Sequence, residues 1–147
     1  MTLESLFSFI LAAHGSWATI YGYGESFCGS PDKPAKCEKG AITASGELFD
    51  PDQATMALSV PNNIIIRPTI VVVRLNSTGE CKPILLNDRK NEKHAHSVDR
   101  FDLTPATVMY LGGKPSPTWR GRLYLCFPTK HSGQFEYYKW NPFLVTN

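Results

Sequence analysis

Residues 62–76 read NNIIIRPTIVVVRLN, and this stretch decides the fold class. Ile70, Val71, Val72 and Val73 are consecutive β-branched residues, whose stiff side chains favour extended backbone over helix. Pro68 has no amide donor and belongs at a strand start or bend. Asn76-Ser77-Thr78-Gly79 is turn chemistry. An unbroken apolar run predicts a strand buried on both faces, or one in a tight closed barrel. The same grammar continues outward in WATIYGYG (17–24), KPILLNDR (82–89) and GRLYLCF (121–127), each bounded by Gly, Pro, Asn or Asp. Strands are therefore predicted over 17–23, 69–75, 83–88 and 120–127. A chain of 147 residues with this pattern reads as one all-β domain.

Two segments read as helix. Thr104 caps a short one, Pro105 takes its first position and Gly112 ends it, giving about two turns. At the N-terminus Thr2 is the expected cap, Leu3–Ala13 the helix and Gly15 the stop. Its apolar residues lie nearly all round, so burial on more than one side is expected, against the barrel or a partner chain. A cleaved signal peptide is not expected, because the segment carries Glu4 and no Lys or Arg ahead of its apolar run. That run is also too short to span a bilayer. Beyond Phe127, the residues Phe135, Tyr137, Tyr138, Trp140 and Phe143 form an aromatic tail. It reads either as a terminal strand covering the barrel or as a docking or sugar-stacking surface.

Fifteen Lys and Arg against thirteen Asp and Glu leave a net charge of +2, too weak a field to call for a nucleic-acid partner. Cys28 and Cys37 bracket the loop GSPDKPAK, while Cys81 and Cys126 stand beside strands. Pairings 28–37 and 81–126 are the expectation among the three that four cysteines allow, with free buried thiols the alternative. No C-x-x-C occurs and no His stands at finger spacing, so neither a metal nor a cofactor is expected.

Three blocks carry a resemblance. Ala18-Thr19-Ile20-Tyr21-Gly22 is similar to an A-S-Y-Y-G strand, and Thr43–Asp50 (TASGELFD) to a T-A-S-G-E-x-F-D signature. Asn87-Asp88-Arg89 followed by Arg100-Phe101-Asp102-Leu103-Thr104 resembles N-D-R-G and R-x-x-D-L-S elements leading into a short helix. In this order they resemble the rare-lipoprotein-A-like family, related to expansins, barwin-like proteins and the transglycosylase MltA. The resemblance implies a small six-stranded double-psi β-barrel over 17–127 with one short internal helix. Residues 1–16 would form an N-terminal arm and 128–147 a C-terminal extension. It further implies a peptidoglycan-binding groove and a lytic-transglycosylase-like activity, outside the cytoplasm or on a particle such as a phage tail. Partner proteins would meet the Leu3–Ala13 helix and the aromatic tail.

Cleaving a glycosidic bond needs a carboxylic acid to protonate the leaving oxygen. A lytic transglycosylase can use the same group, once ionised, to accept the proton of the sugar's own 6-hydroxyl. Asp102, between Phe101 and Leu103 at the entrance of the short helix, is the first candidate, with helix capping its alternative role. Glu47 is the second, against a solvated turn after Gly46. Tyr21, Thr43, Ser45, Asp88, Arg89 and Arg100 are the expected substrate-binding residues. The family's catalytic histidine has no counterpart in the matching stretch Thr55–Pro61 (TMALSVP). Lys90–Asp99 instead brings in His94 and His96, either solvated or reaching the groove as substitutes. The alternative expectation is a non-catalytic structural or wall-binding module.

Overall fold

A computed structural model describes residues 3–22, 42–131 and 134–139. The protein is mainly β. Helix α1 (Leu3–Ala12) precedes β1 (Ser16–Ile20), β2 (Thr55–Ser59), β3 (Thr69–Leu75) and β4 (Lys82–Lys90). A 3-10 turn (Glu92–His94), β5 (Asp99–Leu103), α2 (Pro105–Tyr110), β6 (Arg120–His131) and β7 (Gln134–Lys139) follow. The strands pair in the order β1-β5-β2-β4-β3-β6-β7, and β1 also pairs with β6. Each of the first six strands thus has at least two hydrogen-bonded neighbours, and β6 has three, which leaves none of them as an edge open to another chain. β1 with β5 and β2 with β4 run parallel, and the other pairs are antiparallel.

One face of the sheet makes the core. Ala18, Ile20, Met56, Leu58, Val73, Ile84, Leu86, Phe101, Leu103, Leu123 and Leu125 are buried together there. Alternation then sends Thr19, Ala57 and Asp102 to the opposite face.

β3 is not buried on both faces along its length: Ile70 is 64% exposed and Val72 half-buried, while Val71, Val73 and Leu75 turn inward and Arg74 is buried on the opposite face. β2 and β5 are strands without a β-branched run, stabilised by pairing on both sides rather than by propensity. Asp102 lies within β5 and does not cap α2; Thr104 does, accepting from the Thr107 amide.

Helix α1 stops at Gly15, whose φ of 77° is the left-handed conformation that glycine adopts without strain. Its expected cap, Thr2, lies outside the described residues. Among its described side chains burial is one-sided: Leu6, Ile10 and Ala13 join the sheet's core, while Phe7 is 55% exposed. The helix is therefore tied into the same core as the strands. Arg100 fixes its end by donating to the Ala12 carbonyl at 2.7 Å. Ile10→Ala should cost about 2 kcal/mol, the low end for a large-to-small core change, since Ile10 borders an open crevice. Chemical denaturation would measure the loss.

His14 follows the helix and accepts from the Leu125 amide at Nδ1, 3.0 Å away. Burial, and then the charge of Arg74, push its pKa from 6.5 down to about 4. The unfolded chain therefore binds this proton more readily than the folded one. His14's contribution to stability is complete above pH 6.5 and is lost as pH falls to about 4. His14→Asn keeps an acceptor but does not titrate. Its melting temperature should fall less than the wild type's between those pH values, and parallel curves would remove His14 as the cause.

Cys81 and Cys126 form a disulfide, with sulfurs 2.09 Å apart, that spans from the start of β4 to β6 across β3. The expected 28–37 pair lies outside the described residues. β7 extends the sheet beyond β6 as a terminal strand. The aromatic side chains of the tail are likewise outside the description. No helix among the described residues is long and apolar enough to cross a membrane.

Candidate functional site

Four adjacent strands place one row on the face opposite the core. Thr19 on β1 is level with Asp102 on β5, Asp102 with Ala57 on β2, and Ala57 with Asp88 on β4. Residues directly opposite one another share a face, so Thr19, Asp102, Ala57 and Asp88 form a continuous line across the sheet. Two β-bulges flank it. Met56 pairs with Leu86 but Ala57 with Asp88, which makes Asn87 the extra residue. Trp17 pairs with Asp99 but Ala18 with Phe101, which makes Arg100 the extra one. Bulges re-aim the side chains beside them, and here they put both carboxylates onto the outer face.

Asp102 is the centre of a polar cluster. Thr19 donates its hydroxyl to Asp102 Oδ1, and the Lys90 ammonium stands 3.4 Å from the same oxygen. Lys90 is also hydrogen-bonded to the Phe101 carbonyl at 3.2 Å and to Thr19 Oγ1 at 3.4 Å. Burial raises the Asp102 pKa above the ordinary carboxylate value, while Lys90, Thr19 and His94 oppose the shift. Its side chain nevertheless remains 19% exposed, so the carboxyl is reachable from outside.

Asp88 is held differently. Its Oδ1 accepts from the amides of Ala44 at 3.0 Å and Arg89 at 2.8 Å, yet burial still raises its pKa. Tyr21, just past β1, packs its ring 5.1 Å from Phe49. Burial first, and then the negative charges of Asp88 and Asp102, push its phenol pKa far up. Tyr21 is therefore within electrostatic reach of both carboxylates, which gathers β1, β4 and β5 into one site.

The Thr43–Glu47 loop docks against this row. Ser45 donates its amide to the Asn87 carbonyl at 3.1 Å. Ser45 Oγ donates to Glu47 Oε1 at 3.2 Å, and the Glu47 amide donates to Thr43 Oγ1 at 3.1 Å. Glu47 thus belongs to a self-bonded loop pinned to β4, while Asp102 belongs to the sheet.

The two arginines are committed elsewhere. Arg89 donates to the carbonyls of Val60, Pro61 and Ile64, closing the turn after β2. Arg100 bonds the carbonyls of Ser97 and Ala12. The two histidines part company as well. Burial, then Lys90 and Lys93, lower the pKa of His94, which also senses Asp102 and Asp99. His96 sits against Phe9, ring centroids 6.0 Å apart. Among the described residues, no three His, Cys, Asp or Glu side chains gather as metal ligands.

Sequence reasoning passed over Thr19, Lys90 and Ala57. Strand alternation was the available signal: Thr19 stands two residues before Tyr21, and Lys90 two after Asp88. Set against protein-family models and against curated proteins, the chain matches none of them.

Proposed function

We propose that this domain is a double-psi β-barrel that cleaves peptidoglycan glycan strands as a lytic transglycosylase, with Asp102 as its acid and base. The observation that carries the reading is Asp102 itself. It is a reachable carboxyl whose pKa is raised by burial, set in a row on the face opposite the core, at the junction of two bulged strand pairs. Perturbed carboxyls at such places are those suited to proton transfer. The barrel reading is supported by the two parallel pairs among six strands that each have at least two neighbours, and by the short helix that follows β5.

In the reaction, the Asp102 O–H bond breaks and its proton goes to the glycosidic oxygen. The bond from C1 to that oxygen breaks with its electron pair on the oxygen. The sugar's 6-hydroxyl oxygen then bonds C1, and its proton passes to the Asp102 carboxylate. Water is not consumed, and one carboxyl serves twice. Thr19 orients Asp102, while Tyr21, Asp88 and the Thr43–Glu47 loop flank the bound sugar. Incubation with purified peptidoglycan should release muropeptides ending in 1,6-anhydro sugars; release of none would remove the activity.

A second reading, a wall-binding or particle-structural module outside the cytoplasm, is favoured by two observations. The stretch matching the family's histidine motif presents Ala57 between the two carboxylates. The exposed Phe7 and Leu11 of α1 border an apolar crevice with Ile70, Val72 and Phe127, a surface on which a partner protein could dock.

A further inference from the structure

We propose that Lys90 is the positioning residue of this site: its ammonium holds the Asp102 carboxyl in place and supplies the countercharge when that carboxyl has given up its proton. The inference rests on the reading of Asp102 as acid and base, and names the group on which that role depends. Lys90 is a cation with a side chain only 9% exposed, on the strand two positions away from β5. A buried ammonium is costly unless it is paired and hydrogen-bonded. Here its partners are the Phe101 carbonyl, Thr19 Oγ1 and Asp102 Oδ1, all on β1 and β5, two of the four strands that carry the row. The carbonyl fixes it to the residue next to Asp102, so its distance from the carboxyl does not depend on a free side chain.

The other groups facing Asp102 do not duplicate that charge. β1 offers the neutral Thr19, and β2 offers Ala57. Tyr21 is a neutral phenol. Asp88, on β4, is an anion that opposes ionisation of a neighbouring acid. His94 is held toward its neutral form by burial, Lys90 and Lys93. Among the described residues, Lys90 is the ammonium placed against the Asp102 carboxyl, 3.4 Å from its Oδ1. Without it, the burial that raises the carboxyl's pKa would leave Asp102 a weak acid, protonated and reluctant to give that proton up. With it, the ionised form left after proton transfer has a partner already in place, with no rearrangement needed.

The test is a carbon-13 titration of the Asp102 side-chain carboxyl in the full chain, for the wild type, Lys90→Met and Lys90→Arg. Lys90→Met keeps length and volume but removes the charge. Its midpoint should rise by about one pH unit or more, as expected on losing an opposite charge within ~4 Å. Lys90→Arg should stay near the wild type. In the wild type, the Lys90 Nζ nitrogen resonance should shift with the same midpoint as the carboxyl, a readout that survives even if Lys90→Met fails to fold. An unchanged midpoint in Lys90→Met, or a Lys90 resonance blind to Asp102, overturns the proposal. Muropeptide release by Lys90→Met should have its alkaline limb displaced in the same direction. If the wild type releases nothing, the transglycosylase reading falls, while the two titrations still decide whether Lys90 governs Asp102.

Discussion

Asp102→Asn should lower anhydro-muropeptide release by ~10²–10⁴-fold, the usual contribution of a positioned acid, while leaving the melting temperature close to that of the wild type. The two halves of this expectation come from the same geometry. Asparagine retains an oxygen where Asp102 Oδ1 accepts from Thr19 and faces Lys90, so the hydrogen bonds that order the row survive. What it lacks is a proton that can be transferred and taken back. Burial also disfavours the ionised form of Asp102, so replacing it with a neutral group removes an unfavourable term that offsets part of the lost ion pair. Glu47→Gln should have a much smaller effect, because that carboxylate is engaged with Ser45 in a loop beside the row. If Asp102→Asn retained full release and Glu47→Gln lost it, the two carboxyls would exchange roles.

Loss of the Cys81–Cys126 bridge should produce the largest change in stability. The bridge closes a loop with a sequence separation of 45. In the chain-entropy description, a loop of that size stabilises by about 4 kcal/mol through the unfolded state. It also joins the start of β4 to β6 across β3, three strands that contribute Ile84, Leu86, Val73, Leu123 and Leu125 to the core. The double variant Cys81→Ser/Cys126→Ser should melt lower than the oxidised wild type by roughly 10 °C for a domain of this size. An unchanged melting temperature would mean that the bridge adds nothing to a core already complete without it.

Strand content was legible wherever the sequence carried β-branched and aromatic runs. Ser16–Ile20, Thr69–Leu75, Lys82–Lys90 and Arg120–His131 all contain such runs, and all became strands of one sheet. β2 and β5 were not legible in that way. Thr55-Met56-Ala57-Leu58-Ser59 has helix-compatible composition, and Asp99-Arg100-Phe101-Asp102-Leu103 is mostly charged; both are held extended by neighbours on either side. Of the two readings of Ile70–Val73, burial on both faces fails at Ile70 for a related reason, while a strand in a tight closed barrel is the reading carried into the proposed function. Four apolar residues in a row do not say whether anything covers the second face, and Ile70 is left exposed beside a crevice.

The candidate site was legible in its acids and not in its cations. Asp102, Asp88 and Tyr21 lie in quoted motifs, and they are gathered on one side of the sheet. Arg89 and Arg100 belong to the same motifs but bind main-chain carbonyls. A guanidinium's fork of donors fits a turn's carbonyls as well as it fits a ligand, and no local pattern separates the two uses. Lys90, the cation that does meet Asp102, stands outside the motifs and is reached only through the register of β4 against β2 and of β2 against β5.

Digestion of purified peptidoglycan in oxygen-18-labelled water, with mass analysis of the released fragments, addresses the central claim most directly. Intramolecular attack by the 6-hydroxyl predicts products one water lighter than hydrolysed muropeptides and free of the heavy oxygen. Products carrying oxygen-18 at their reducing ends would contradict it in favour of hydrolysis. Wall binding with no products at all would contradict it in favour of a domain that recognises glycan without cleaving it.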